Sequence, residues 1–413
     1  MSLPTTLDDH SGLFHIGRFN KPVINWLYFH DIETTGGHMR HLARISRALV
    51  TAALITTTVV AIDQQAAFAA DPAPPHTTCS QHTVAVTLSA SDPTPYTMAG
   101  QLCLEPDALR GGRAVMLMIS GLTYDRSYFN SPYAPYSYSW VYSATQHGYS
   151  TFNIDRMGVG QSSRPPADKL TVYNQAYVIE QIVRKLRAGA IGGRAFPIVV
   201  GVGHSLGAGI LQYLAGTVTD KTGVPDYLVF SAWLHQGYLP AVTYLGNSLH
   251  PASSDPVLAP KGYPSGYLTT KPGTRGPNFY HAAGADSAVI AHDESTKMTG
   301  TLSERQTLGA VRTSNVTASI TVPVALSVGE FDTLQCDAAT PGLSCDTAAA
   351  IKAREVPYYG PKACLIAFSV DNTGHSVTMH HKGLDSFNFV HNWLDDNLIT
   401  KAHLKDANGC IPA

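Results

Sequence analysis

The sequence predicts an α/β fold whose core is a mostly parallel central sheet flanked by helices. Short apolar segments, such as residues 114–119, alternate along the chain with segments of helical period, such as residues 170–186. The apolar segments carry no polar residue at every second position, which is typical of parallel strands buried on both faces. Repeated alternation of strand and helix is the pattern of a sheet covered by helices on both sides.

The chain opens with two segments that we expect to lie outside the folded domain. Residues 1–38 show no sustained period and are interpreted as a mis-assigned extension, with Met39 as the true start. Residues 39–69 follow the order of a secretory signal: a positively charged lead, an apolar run, and small residues at a cleavage site. We therefore expect secretion after cleavage near Ala69.

The apolar run of this signal, residues 48–62, leaves a stop-transfer anchor as the alternative. The run is short for a bilayer span, which needs about 20 apolar residues. We expect residues 70–413 to form the folded domain, with no stable membrane span in the mature protein.

Composition limits the classes of partner. The sequence has 28 Lys and Arg against 30 Asp and Glu, a net charge of −2. This balance gives no sign of a nucleic-acid partner. No Gly-rich phosphate or dinucleotide loop stands out, so no cofactor is expected. The oligomeric state stays open.

Six cysteines follow the signal, and an even number in an exported chain favours disulfides. Six cysteines allow 15 pairings, and the sequence does not choose among them. Proximity along the chain favours Cys79–Cys103 and Cys336–Cys345, which leaves Cys364–Cys410. None of the cysteines has C-x-x-C spacing or lies in a His-rich cluster, so no metal site is expected.

The elements of the predicted sheet follow in order. The strand-like segments are residues 83–88, 114–119, 150–154, 198–202, 227–230, 322–328 and 364–370. Helical segments are predicted at residues 170–186 and directly after Ser205. A final amphipathic helix is carried by Leu384, Phe387, Val390, Trp393 and Leu394.

Residues 232–320 interrupt this alternation. They are rich in Pro, Gly and Tyr, contain one helical segment near residues 285–298, and lie between two core strands. A segment this long is more than a simple loop, so we interpret it as an inserted lid over the strand ends. Its aromatic residues either line a pocket or form the lid's own core; they are Trp233, Tyr238, Tyr244, Tyr263, Tyr267, Phe279 and Tyr280.

The strand at residues 198–202 ends in Gly203-His204-Ser205-Leu206-Gly207, and a helical pattern follows. In a turn this tight the strand and the helix nearly touch, so the residues two before and two after Ser205 must be small. The turn holds the Ser205 hydroxyl above the strand's carboxyl end, beside the unpaired N–H groups of the helix. Ser205 is therefore the candidate nucleophile; the alternative is a solvated serine in a Gly-rich turn.

A serine nucleophile needs a histidine to take its proton, and the histidine needs a carboxylate to orient it and stabilise its cation. In a sheet of this kind these partners follow later strands, the acid before the histidine. Asp332 follows the strand at residues 322–328, and His375 follows the strand at residues 364–370. We predict Asp332 as the acid and His375 as the base. The alternative acids are Glu330, Asp337 and Asp371.

Acyl transfer also needs N–H donors aimed at the developing oxyanion. One predicted donor is the main-chain N–H of Leu206, directly after the candidate nucleophile. The second is the main-chain N–H of Leu122, in the loop after the strand at residues 114–119.

Taken together, these segments resemble the α/β-hydrolases, and more narrowly the secreted actinobacterial serine hydrolases of that fold. The resemblance spans residues 113–232 and 322–397 and leaves the lid outside. Its carriers are Gly203-His-Ser-Leu-Gly207, Asp155-Arg-Met-Gly-Val-Gly-Gln-Ser162, Gly329-Glu-Phe-Asp332 and Gly374-His375. The second carrier is similar to the D-x-R-G-x-G-x-S turn of the family, slightly rearranged. Many members have His-Gly at the oxyanion loop, where this chain has Ser120-Gly121.

The residues and the resemblance imply a secreted serine hydrolase that cleaves a small-molecule carboxylic ester or lactone through an acyl-enzyme intermediate. The serine at position 205 argues against the dehalogenase and epoxide-hydrolase branches, which use a carboxylate nucleophile. Two alternatives stay open: a peptidase or amidase of the same fold, and a non-catalytic binding protein on that fold.

Overall fold

The structure is a computed structural model that describes residues 77–105 and 113–412. Its strands, in chain order, are β1 (Thr78–Val86), β2 (Tyr96–Leu104), β3 (Ala114–Ile119), β4 (Ser150–Ile154), β5 (Ile198–His204), β6 (Tyr227–Ser231), β7 (Leu249–Pro251), β8 (Tyr267–Thr270), β9 (Gly300–Thr301), β10 (Val324–Gly329) and β11 (Ile366–Val370). Its α-helices are α1 (Pro135–Tyr138), α2 (Trp140–Gln146), α3 (Val172–Arg187), α4 (Leu206–Thr217), α5 (Leu239–Asn247), α6 (Arg275–Phe279), α7 (Ser287–Thr296), α8 (Leu302–Thr313), α9 (Ala348–Glu355) and α10 (Gly383–Asp395).

Eight strands form the central sheet, in the order β1-β2-β4-β3-β5-β6-β10-β11. The pairs from β4 through β3, β5, β6 and β10 to β11 are parallel, and β1 and β2 join the edge in antiparallel pairs. The predicted mostly parallel sheet is therefore confirmed. Because the parallel strands share one direction, the loops after β3, β5, β10 and β11 all emerge at the same edge of the sheet.

The central strands are buried on both faces, as their uniformly apolar sequence predicts. In β3, Val115 and Leu117 pack in one hydrophobic cluster while Met116 and Met118 pack in the other. Helices α3 and α4 supply the first cluster, and α2 and α10 supply the second. The two clusters form the layers that hold the sheet between helices.

The segment between β6 and β10 is more elaborate than the single predicted helix. Helix α7 lies where that helix was expected, but the segment also holds α5, α6, α8 and a three-stranded sheet made of β7, β8 and β9. Leu258, Tyr267 and Val311 of this segment are buried in the same hydrophobic cluster as α3 and α4. The segment is thus an insertion that shares the core of the sheet.

The structure places three cysteine pairs at disulfide-bonding distance: Cys79–Cys103, Cys336–Cys345 and Cys364–Cys410. These are the two pairs that proximity along the chain favoured and the third pair that they left. The predicted extension and secretory signal lie outside the described residues. Among residues 77–105 and 113–412, no helix combines the length and apolar character that a bilayer span requires.

Candidate active site

Ser205 is the single residue between β5 and α4. Its backbone dihedrals are φ 51° and ψ −113°, a region that residues with a side chain rarely adopt. A Cβ at Gly203 would lie 2.5 Å from the Ala208 nitrogen, and a Cβ at Gly207 would lie 2.0 Å from the Ile119 carbonyl oxygen. Both flanking positions therefore require glycine, because strand and helix touch there. Strain of this kind costs about 1–3 kcal/mol and is typical of functional sites.

Asp332 and His375 meet at the same edge of the sheet. Asp332 lies just after β10 and His375 just after β11, and both side chains are buried. The His375 Nδ1 atom is 2.9 Å from each carboxylate oxygen of Asp332. The carboxylate also accepts a hydrogen bond from the Leu334 backbone N–H, at 3.1 Å. This arrangement fixes the imidazole so that its Nε2 atom is left for other chemistry.

Two of the other carboxylates named as possible acids, Glu330 and Asp337, have different partners. Glu330 accepts a hydrogen bond from the Asn372 backbone N–H, at 2.9 Å. Asp337 accepts one from the Thr340 hydroxyl. Among the described residues, the carboxylate that the structure brings against the His375 ring is that of Asp332.

His204, which the sequence analysis did not single out, supports the loop that carries His375. Its buried ring stacks on Tyr128, with 4.1 Å between ring centroids, and its Nε2 atom lies 3.0 Å from the His375 carbonyl oxygen. Since a carbonyl only accepts, the Nε2–H must donate. Burial lowers the pKa of His204 well below its usual range, so the ring is neutral with its proton on Nε2. Its position in the sequence, directly before the candidate nucleophile, was the signal by which His204 could have been singled out.

Both predicted oxyanion donors lie beside Ser205. Leu206 is the first residue of α4, where helix N–H groups have no partner within the helix. Leu122 follows Gly121, and a Cβ at Gly121 would lie 3.2 Å from the Cβ of Ser205. The loop after β3 therefore passes directly over the candidate nucleophile.

A buried arginine clamps this loop. The Arg156 guanidinium donates from Nε to the Ser120 carbonyl and from Nη2 to the Gly121 carbonyl, each at 2.9 Å. Its Nη1 atom forms an ion pair with Glu304 of α8, at 2.6 Å. Arg156 belongs to the turn after β4 that carried the family resemblance, but the sequence did not indicate which groups it would bind.

A cavity of about 780 Å³ opens above Ser205. Ser205, His375 and Leu122 all line it, so the structure brings the candidate nucleophile, base and oxyanion loop to one space. Much of the remaining wall is apolar and comes from the insertion, through Trp233, Leu239, Val242, Leu245, Leu302 and Leu308.

The aromatic residues of the insertion serve mostly as its core. Of the seven named from the sequence, Trp233 lines the cavity. Tyr263, Tyr267 and Phe279 are buried in hydrophobic clusters instead. Within the described part of the chain, no group of three His, Cys, Asp or Glu side chains is arranged to hold a metal ion.

The family profile described as "Alpha/beta hydrolase family" matches residues 116–385, well over half of the chain. The chain belongs to the alpha/beta hydrolase family. This membership agrees with the resemblance found in the sequence and supports a hydrolase.

Solved structures are similar to this chain at low sequence identity. A monoglyceride lipase from Saccharomyces cerevisiae is 16% identical with a TM-score of 0.51, over 77% of this chain and 96% of the lipase. A putative aryl esterase from Burkholderia cenocepacia is 17% identical with a TM-score of 0.48, over 77% of this chain and 100% of the esterase. A comparison with curated protein sequences finds no match.

Proposed function

We propose that this alpha/beta hydrolase is a serine hydrolase that cleaves a carboxylic ester or lactone, with Ser205 as nucleophile, His375 as base and Asp332 as acid. The observation that carries the proposal is the buried Asp332–His375 pair, at 2.9 Å, opening onto the same cavity as the strained Ser205. A nucleophile on a tight turn beside an oriented histidine is the arrangement that acyl transfer needs.

The reaction proceeds in two halves. His375 Nε2 takes the proton of the Ser205 hydroxyl as its oxygen attacks the carbonyl carbon, while Asp332 stabilises the imidazolium through Nδ1–H. The oxyanion is held by the N–H groups of Leu122 and Leu206. The tetrahedral intermediate collapses, the alcohol leaves with the proton from His375, and an acyl group remains on Ser205. Water then attacks in the same way, and the acid is released.

An ester or lactone fits the cavity better than a peptide. Most of the exposed area of its wall is apolar, which suits an acyl chain or an apolar leaving group. The oxyanion loop Ser120-Gly121-Leu122 also lacks the P-G-G-P-G pattern of proline-iminopeptidase relatives. A peptidase or amidase is the second candidate, and a non-catalytic binding protein is the third.

Three substitutions test the proposal: Ser205→Ala, His375→Ala and Asp332→Asn. Each should lower kcat by about 10³- to 10⁶-fold on p-nitrophenyl esters while folding persists, because the three groups act as one unit. For the same reason the double variants should be little worse than the worst single variant. Ser143→Ala, which alters a buried serine of α2 among the second hydrophobic cluster, is the control and should keep wild-type turnover.

The substrate panel distinguishes the alternatives. Esters of rising chain length are assayed beside lactones and aminoacyl anilides, and a fluorophosphonate probe is used to label the nucleophile. Labelling at Ser205 with turnover of anilides alone would favour the peptidase. Normal ester turnover by Ser205→Ala would refute the nucleophile assignment. No turnover and no labelling in the wild type would favour the binding protein.

We also propose that the protein is exported. The three cysteine pairs at bonding distance support this, because disulfides persist in oxidising compartments. The protein should accumulate in the culture medium, and thiol titration of that denatured protein should find no free cysteine. Retention in the cells with six free thiols would contradict export.

A further inference from the structure

One wall of the cavity above Ser205 carries two arginines. Arg305 and Arg312 both line the cavity, and both lie on α8. They are seven residues apart, which is about two helical turns and about 10 Å along the axis, so they share one face of the helix. No Asp or Glu side chain is among the residues that line the cavity.

Arg312 is held in place by neutral groups. Its guanidinium lies 4.1 Å above the Trp233 ring and donates from Nη2 to the Gln335 side-chain oxygen, at 3.0 Å. A Cβ at Gly237 would lie 2.1 Å from its Nη1 atom, so the backbone there packs against the guanidinium. A guanidinium has five N–H donors. In the described part of the chain one of them has an acceptor, so the others are left for a ligand.

Arg305 is also held by neutral groups. It donates a long hydrogen bond of 3.5 Å from Nη2 to the Val242 carbonyl oxygen, and a Cβ at Gly246 would lie 2.4 Å from the same Nη2 atom. The two fully buried arginines of the described residues each have a carboxylate partner: Arg156 pairs with Glu304 at 2.6 Å and Arg275 with Asp293 at 2.8 Å. Arg305 and Arg312 form no such ion pair among the described residues.

The carboxylates nearest Arg312 are already engaged. The charges of Asp332 and Glu355 both act on Arg312, but Asp332 is bound to His375, and Glu355 is bound to His235 at 2.6 Å. Arg354 adds a further positive charge in the same region. Burial lowers the pKa of Arg312 to about 10, which still leaves it cationic at neutral pH.

We propose that the cavity takes an ester or lactone with an apolar body that ends in a carboxylate, which Arg312 binds and Arg305 attracts. This inference rests on the proposed hydrolase function and names its substrate class. The apolar body packs against Leu239, Val242, Leu245 and Leu308, which line the same space. A guanidinium with free N–H donors forms strong charge-assisted hydrogen bonds with a carboxylate, and partial burial strengthens them.

The test compares anionic and neutral esters of equal length. In the first series, mono-p-nitrophenyl adipate and suberate carry the anion on the acyl side, and p-nitrophenyl hexanoate and octanoate are their neutral partners. In the second series, 4-acyloxybenzoates carry the anion on the leaving group, and their methyl esters are the neutral partners. In one of the two series the wild type should have at least about 10-fold higher kcat/KM for the anionic member. Equal values in both series would overturn the inference.

Substitution of Arg312 should remove this preference. Arg312→Gln should lower the anionic-to-neutral ratio of kcat/KM by about 10- to 100-fold, the value of a charge-assisted hydrogen bond, and Arg312→Lys should restore part of it. The control is Arg194→Gln, which removes the same charge from the segment before β5, at the opposite end of that strand from Ser205. It should leave the ratio unchanged. If Arg312 had a merely structural role, the substitution would lower kcat/KM equally for the anionic and the neutral ester. If Arg312→Gln does not fold, Arg305→Gln and added salt take its place as tests. Each should lower the anionic-to-neutral ratio of kcat/KM, and an unchanged ratio in both would overturn the inference.

A binding experiment separates this inference from the proposed chemistry. Suberate is titrated into the Ser205→Ala protein by calorimetry, with and without Arg312→Gln. Binding that the arginine substitution abolishes would support the anion site even if no ester is turned over. Ester turnover that depends on Ser205, without anion preference or suberate binding, would refute the anion site and leave the hydrolase proposal intact.

Discussion

At the scale of single residues, the geometry of the site depends on how closely backbone segments approach one another. Ser205 has φ 51°, and its turn exists because Gly203 and Gly207 leave no side chain between β5, α4 and the end of β3. A similar close contact lies at Gly329, where a Cβ would be 2.4 Å from the Gly374 carbonyl oxygen. That contact lets the loop carrying His375 reach Asp332. Glycine therefore sets the geometry of the candidate nucleophile and of the Asp332–His375 pair.

Gly207→Ala tests this dependence. Its Cβ would meet the Ile119 carbonyl oxygen at 2.0 Å, so α4 must shift, and overpacking of this kind costs about 1–3 kcal/mol of unfolding free energy. Gly309→Ala in α8 is the matched control, because a Cβ there meets nothing within 4 Å. It should stabilise the protein by up to about 1 kcal/mol. Urea unfolding measures both; equal effects would show that the close approach at Gly207 is not limiting.

The sequence predicted residues whose chemistry is tied to a motif and missed residues that act by contact. Ser205, Asp332 and His375 could be named because each follows an apolar strand in a fixed order. His204 and Arg156 could not, because their partners are backbone carbonyls of loops distant in sequence. No side-chain pattern marks a carbonyl acceptor.

At the scale of elements, three segments meet at the oxyanion loop. Arg156, after β4, binds the carbonyls of Ser120 and Gly121 after β3, and it is bound by Glu304 at the start of α8. Glu304 also accepts the Thr301 backbone N–H in the capping box that begins α8. The insertion therefore helps to position the loop that carries Leu122, one of the two predicted oxyanion donors.

Arg156→Lys should separate this positioning from folding. A lysine supplies one ammonium in place of the planar fork and cannot bind both carbonyls and the carboxylate in this geometry. We expect kcat to fall by about 10- to 100-fold with little change in KM, because misplaced donors stabilise the transition state less. The control is Arg187→Lys: Arg187 also binds two carbonyls, of Pro197 and Val224, and one carboxylate, but it lies before β5. A similar loss of kcat in both variants would argue against a specific clamp.

The insertion shows where prediction from sequence ends. Its seven regular elements are short, from two to twelve residues, and α7 is the one among them that was predicted. Periodicity needs a longer segment to be recognised. The eight-stranded sheet could be predicted because its strands are buried on both faces, whereas the insertion is defined by side-chain contacts with the core, such as that of Tyr267.

At the scale of the whole molecule, buried histidines link stability to pH. His204 and His380 both contact the loop that carries His375, whereas His391 lies in α10; burial lowers the pKa of each, for His380 to about 4. Below the ordinary value of about 6.5 the unfolded chain binds protons that the folded protein does not. The contribution of these histidines to the free energy of unfolding is therefore present above pH 6.5 and is lost as the pH falls. Asp155 and Glu304, whose pKa burial raises, act in the opposite direction.

His391 isolates this effect because it lies in α10, within the cluster that α2 and α10 supply. Its Nε2 atom accepts a hydrogen bond from the Trp140 indole N–H at 3.3 Å, which protonation of that nitrogen would abolish. His391→Gln should be destabilised at pH 7.5, since it loses packing and this acceptor geometry. Between pH 6.5 and 5 the wild type should lose up to about 1.4 kcal/mol per pH unit that the variant does not, so the difference in unfolding free energy should shrink by about 2 kcal/mol. Urea unfolding at several pH values measures it, with the exposed His403→Gln as the control that follows the wild type. A difference that stays constant with pH would mean that His391 titrates alike in the folded and unfolded protein.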